Sequence, residues 1–228
     1  MSAVPSGPQT RIESQLFRVL LLRRLRLPLP PASRLCRCGR LLDSFGHHRA
    51  TCAQAGVLGR RGFAVESAVA RICREAGGRV ATNVYVRDLD LPVPVNDGRR
   101  LEDVVDGLLV FGGAQLAVDT TVVSSLHCDG SPHRGAADVD GAVLAAARRR
   151  KERTYPELVR PGRRARLVVL AGDVAGRWSE ETVSFIRHLA KTRARGEPTI
   201  LKKRAEQAWR MRWCCLLACA AARAFAAS

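Results

Sequence analysis

RLEDVVDGLLVFGGAQLAVDTTVVS, residues 100–124, decides the fold. Two apolar runs flank Gly112-Gly113, and each carries an aspartate: Asp106 in the first and Asp119 in the second. Strand-like runs separated by paired glycines read as a β-hairpin. Side chains alternate between the faces of a strand, so Val104, Asp106 and Leu108 share one face, as do Ala117, Asp119 and Thr121. With a matching register, Asp106 and Asp119 project to the same side near the same end. An acid inside an apolar strand is costly to bury without a partner. The pair therefore reads as a site for Mg²⁺, a hard cation that prefers oxygen ligands.

Outward from the hairpin, an amphipathic helix over 57–76 ends at Gly77-Gly78 and is followed by RVATNVYVRDL, a further strand. Phe63, Val65, Val69 and Ile72 are its expected apolar face. Beyond the hairpin come a polar loop at 125–136, a helix from Ala137 to Thr154, the buried-type strand ARLVVLAGD, and two helices, Ser179–Arg195 and Pro198 onward. Thr10 and Glu13 are spaced as a capping box for a basic helix over 10–26. A meander of three strands, then a helical crossover to a fourth, predicts an α/β fold with a mixed central sheet and flanking helices. The expected division is a leader and amphipathic helix at 1–33, a Cys/His segment at 34–54, the α/β core at 55–178 and a helical extension at 179–228.

Composition bounds the partners. The chain of 228 residues carries a formal net charge of +17, and all but four of its 38 basic residues are arginine. Such a balance predicts affinity for polyanions, DNA or RNA foremost. The scattered cysteines form no disulfide framework, and no secretory or membrane-spanning run is apparent, so an intracellular, nuclear protein is expected. Cys36-x-Cys38-x9-His48-x3-Cys52 offers three thiolates and an imidazole, the donor set of a structural Zn²⁺ site. His47 competes with His48, but His48-x3-Cys52 has helical i, i+4 spacing. Arg34, Arg37, Arg40 and Arg49 surround the cluster and suit phosphate contacts.

Metal-assisted phosphodiester hydrolysis also needs a cation near the transition state, and Lys151 on the crossover helix is the candidate, with Tyr155 one turn later. Asp103, Asp88 and Asp90 compete as acids; Asp103 ranks below Asp106 because its strand parity is opposite. Each residue also has a plain structural reading. A strand aspartate is often solvent-facing, Glu66 can be a salt-bridging helix residue, and Lys151 extends a run of arginines of the kind usually solvated. Trp209 and Trp213 at i, i+4, and Cys214, Cys215 and Cys219, read as core.

The helix–β–β–β–helix–β order, the Asp106/Asp119 pair and an upstream helical acid, Glu66, resemble the restriction-endonuclease-like PD-(D/E)xK nuclease superfamily. The superfamily's acid-x-Lys element reads Asp119-Thr120-Thr121 here, without the lysine. Lys151-Glu152-Arg153-Thr154-Tyr155 resembles the helix motif by which some members supply a substitute. CRCGRLLDSFGHHRATC, RRGFAVESAVARICREAG, RRLEDVVDGL, AQLAVDTTVVS and ARRRKERTYPELV further resemble the C-terminal region of reverse-transcriptase-like proteins of non-LTR retrotransposons. The resemblance covers about residues 20–228. It implies a zinc knuckle followed by an Mg²⁺-dependent DNA endonuclease, with Glu66, Asp106, Asp119 and Lys151 catalytic and Tyr155 in the helix motif. No polymerase motif is found, so the chain would be a detached tail of such an element. The competing reading is a catalytically inactive nucleic-acid-binding module or relic fragment.

Overall fold

The computed structural model describes residues 7–30, 35–55, 57–108, 113–159 and 165–226, with main chain only at 55 and 57–61. Gly112 and Arg34 lie outside the described residues. The chain order is α1 (Ser14–Arg24), α2 (His47–Thr51), α3 (Val57–Glu75), β1 (Arg79–Tyr85), β2 (Arg100–Asp106), β3 (Gln115–Val123), α4 (Ala142–Thr154), β4 (Ala165–Asp173), α5 (Glu180–Arg193) and α6 (Lys202–Ala226). The sheet order is β1-β2-β3-β4. β1, β2 and β3 form an antiparallel meander, and β4 joins β3 in parallel after the α4 crossover. The protein is therefore a mixed α/β fold with a four-stranded mixed sheet and flanking helices.

Strand alternation sorts the core into two layers. Val105, Leu116, Val118, Val168 and Leu170 pack with Val65, Val69 and Ile72 of α3, Phe185 and Leu189 of α5, and Trp213 of α6. Val104, Ala117, Leu167 and Val169 pack with Leu144 of α4, Tyr155 and Leu158. Phe63, expected on the apolar stripe of α3, is 68% exposed. It sits two residues before Val65, about 200° around a helix of 3.6 residues per turn, and so faces away from the sheet. α1 is shorter than expected: Thr10 belongs to a 3-10 turn, Pro8–Thr10, and Glu13 is the N-cap without a side-chain capping bond.

One carboxylate ties α3 to α6. Glu75 accepts from Arg71, from Arg212 at 2.8 and 2.9 Å, and from the Trp213 indole Nε1–H at 2.9 Å. Arg212, with Arg71 and the Trp213 indole helping, pulls the Glu75 carboxyl down to about 2 against the opposing effect of burial. No helix among the described residues is long and apolar enough to cross a membrane.

Candidate functional site

Two clusters of chemistry-bearing side chains stand out. The first is local in sequence. Cys36 and Cys38 sit on a tight turn closed by Cys36 N–H to the Arg40 carbonyl and Gly39 N–H to the Cys36 carbonyl, each 2.8 Å. Gly39 has φ of +82°, the left-handed conformation that glycine adopts without a Cβ penalty. The short helix α2 carries His48, and Cys52 follows as its C-cap. Asp43 orders the entry to α2: its carboxylate accepts the N–H groups of Phe45, His47 and His48 at 2.7–3.0 Å. Burial alone would raise the Asp43 carboxyl, but these three bonds hold it below its ordinary value.

The ligand atoms of Cys36, Cys38, His48 and Cys52 all lie within 4.8 Å of one another. Cys36 Sγ and Cys52 Sγ are 3.8 Å apart, and Cys38 Sγ is 3.1 Å from His48 Nε2. A tetrahedron with Zn–S bonds of about 2.3 Å has S···S edges of about 3.8 Å. The Cys3His cluster is therefore compatible with structural zinc. Arg37, Arg40 and Arg49 are exposed around it, and Arg40 donates to Cys128 Sγ at 3.6 Å.

The second cluster draws on four distant segments. Asp119 lies mid-strand in β3, shares a face with Ala117, and is 1% exposed. From α4, Lys151 Nζ reaches Asp119 Oδ1 at 2.5 Å. Tyr155 anchors the end of α4 to β2 by donating its hydroxyl to the Arg100 carbonyl at 2.7 Å. Arg99 reinforces this by bonding the Thr154 carbonyl, Asp97 and Glu157. Beside Asp119, the β2–β3 ladder stops at Asp103↔Val118. Past that point the Glu102 carboxylate accepts both the N–H and, at 2.7 Å, the hydroxyl of Thr120. The Glu102 side chain thus holds the strands together where the backbone ladder ends.

Like charges gather here. Burial, then the Asp119 charge, push the Glu66 carboxyl up, with Lys151 opposing. Burial, then Asp119, also push Glu102 up, with Thr120 opposing and Glu66 adding. Asp103, 2% exposed, is raised to about 6 by burial and by Glu66. Asp103 Oδ2 and Asp119 Oδ2 are buried without a hydrogen-bond partner. Burial and the neighbouring Asp119 push the Tyr155 hydroxyl up as well.

Of the expected residues, the structure gathers Glu66, Asp119, Lys151 and Tyr155. It does not bring Asp106 to them. The β2–β3 register pairs Val105 with Leu116, so Asp106 ends its strand four positions from the level of Asp119, about 13 Å at 3.3 Å per residue. Asp106 is instead solvent-facing, bound to Arg79 at 2.8 Å and to the Gly107 N–H at 2.7 Å. Arg79, then that backbone bond, lower its carboxyl. Asp88 pairs with Arg87 on an exposed turn outside the cluster. Glu102 went unweighed in the sequence. Its signal was the Glu102-Asp103 dyad enclosed by Leu101 and Val104, two acids where the strand has no solvent-facing run. Among the described residues, the one group of three or more His, Cys, Asp or Glu side chains close enough to hold a metal ion is the Cys3His group; the four acids do not form one. The chain matches no protein-family model and no curated protein.

Proposed function

We propose that the chain is an Mg²⁺-dependent DNA endonuclease domain of the restriction-endonuclease-like kind, derived from the C-terminal region of a retrotransposon reverse transcriptase. Glu66, Glu102, Asp119 and Lys151 form its site. One observation carries the reading: Lys151 crosses from α4 to meet Asp119 at 2.5 Å beside two further carboxylates from α3 and β2. The lysine absent from the strand motif, where Thr121 stands, is thereby supplied by a helix. The helix–three-strand–helix–strand order supports the same fold assignment.

The donor chemistry fits a hard divalent cation. Asp119 Oδ2 is buried and unpartnered, and the mutual repulsion of Glu66, Glu102 and Asp119 is of the kind a cation relieves. Asp119, with Glu66 and Glu102, would hold it, and it would polarise a phosphodiester oxygen and acidify water. Asp119 fixes the Lys151 ammonium near the position of a scissile phosphate, where it offsets developing negative charge. Tyr155 and Arg99 hold α4 in register with β2, so that the ammonium is placed by the fold. The arginines of the knuckle bind the phosphate backbone.

The test is nicking of supercoiled plasmid with Mg²⁺, comparing wild type with Asp119→Ala, Lys151→Met and Asp106→Ala. Nicking is expected to fall by about a thousandfold or more for the first and a hundredfold for the second, roughly 4 and 3 kcal/mol of barrier. Asp106→Ala is expected to leave it unchanged. Wild-type protein that binds DNA without nicking it would instead establish the non-catalytic binding module, the reading that Thr121 favours.

A further inference from the structure

A cavity of about 1150 Å³ opens far from the carboxylates, between the end of α1, the knuckle, α6 and the segments that follow β3 and β4. The level of Ser124 is five residues beyond Asp119, about 17 Å along the strand. Arg24 and Arg26 of the α1 terminus, Phe45 and His47 of the knuckle, Trp178 after β4, and Phe225 of α6 line it. The Phe45 and His47 rings stack at 5.9 Å. Asp173 also lines the cavity, its Oδ1 accepting the N–H groups of Ala175 and Arg177.

Arg26 has a φ of +53°. It follows the C-cap of α1, where Leu27 N–H reaches back to the Leu22 carbonyl at 2.8 Å. This is the position at which helices favour glycine, because a Cβ is strained there. An arginine at a glycine position, on the rim of a cavity, suggests a charge retained for binding. Gly46 shows that the walls belong together: a Cβ on it would lie 2.7 Å from the Arg23 guanidinium, so α1 and the knuckle are closely seated.

We propose that this cavity binds a short stretch of unpaired nucleic acid, with the bases against Phe45, His47 and Trp178 and the phosphates against Arg24 and Arg26. Rings inside a concavity favour unpaired bases over a duplex, whose bases are already stacked. Cationic and aromatic groups combined in one groove are the pattern by which proteins hold single strands. A volume above the range of about 300–1,000 Å³ usual for small-molecule pockets suits a few linked nucleotides. The inference rests on the nucleic-acid reading above, in its partner and not in its cleavage chemistry.

The experiment is fluorescence anisotropy with a labelled oligothymidylate and a duplex of equal length, at fixed salt without Mg²⁺ or chelator, on zinc-loaded protein. Wild type is expected to prefer the single strand by about tenfold. Phe45→Ala is expected to weaken single-strand binding by about tenfold or more, with duplex binding and zinc content unchanged. Arg26→Gly is expected to weaken it severalfold while raising the melting temperature, a combination that a structural role for Arg26 does not give. Equal single-strand and duplex affinities, or single-strand affinity unmoved by Phe45→Ala and Arg26→Gly in folded protein, would overturn the proposal. Asp119→Ala protein, which tests cleavage, is expected to bind the single strand as wild type does, so the two readings fail separately.

Discussion

The Cys3His cluster and the carboxylate cluster both gather side chains of chemistry-bearing type, yet they are assembled in opposite ways. Cys36, Cys38, His48 and Cys52 come from one segment of 17 residues, and their ligand atoms lie within 4.8 Å of one another. Glu66, Glu102, Asp119 and Lys151 come from α3, β2, β3 and α4, and their positions depend on the whole sheet. Local spacing thus fixes the first site, and strand register with a helical crossover fixes the second. The first would need a metal to hold it against chain entropy, whereas the hydrophobic core holds the second.

The largest break in the comparison is made at the knuckle. Between residues 35 and 52 the buried hydrophobic residues are Cys36 and Ala50, too few to order this segment by themselves. Structural zinc supplies on the order of 10–16 kcal/mol of apparent binding in small metal-dependent folds. Cys52→Ser is therefore expected to lose the zinc and the amide protection of residues 35–52 while the sheet stays folded. Metal analysis and hydrogen exchange together check this. Protection that persists without metal would show that packing against the 125–136 loop, not zinc, orders the segment.

The same contrast explains what could be read from sequence alone. The four residues of the Cys3His cluster were legible because Cys-x-Cys and His-x3-Cys are spacings that a turn and a helical step enforce locally. Asp119 and Lys151 were legible through the order of elements. Asp106 was misplaced because alternation gives the face of a strand residue but not its level, and the level depends on a register that a loop of unknown shape sets. Glu102 was hidden for a related reason. Its side chain does the work of a ladder bond to Thr120, and nothing in the alternation of a strand announces where its ladder will end.

A second measurement probes the carboxylate site as a unit held by charge. Lys151→Met leaves Asp119, 1% exposed, without its cation, and removing one partner of a buried pair costs about 3–5 kcal/mol. Asp119→Asn with Lys151→Met removes both charges and is expected to restore most of that stability, because no buried ion is left alone. Urea unfolding in EDTA of the wild type, the single and the double variants measures the difference. Losses in the Asp119→Asn and Lys151→Met single variants that simply add in the double variant would mean that the pair is not coupled.

The smallest expected effect separates a structural acid from the proposed site acid on a single helix. Glu66 and Glu75 both lie on α3, nine residues apart. Glu75 meets two arginines and an indole N–H, and its carboxyl is drawn from 4.5 down to about 2. Glu66 meets other acids, and its carboxyl is pushed up. The linkage signs are therefore opposite. A lowered carboxyl contributes stability that is fully present above about pH 4.5 and is lost as pH falls towards 2, at most about 3 kcal/mol for a shift of this size. A raised carboxyl keeps its proton in the folded state, so stability declines as pH rises through the window between its ordinary and raised values. Glu75→Gln is expected to cost about 2 kcal/mol at neutral pH and to flatten the acid limb between about pH 4.5 and 2, leaving Mg²⁺-dependent nicking intact. Unfolding by urea across that pH range checks it. An acid limb unchanged by Glu75→Gln would place the acid sensitivity elsewhere, and the α3–α6 joint would then rest on Trp213 packing rather than on charge.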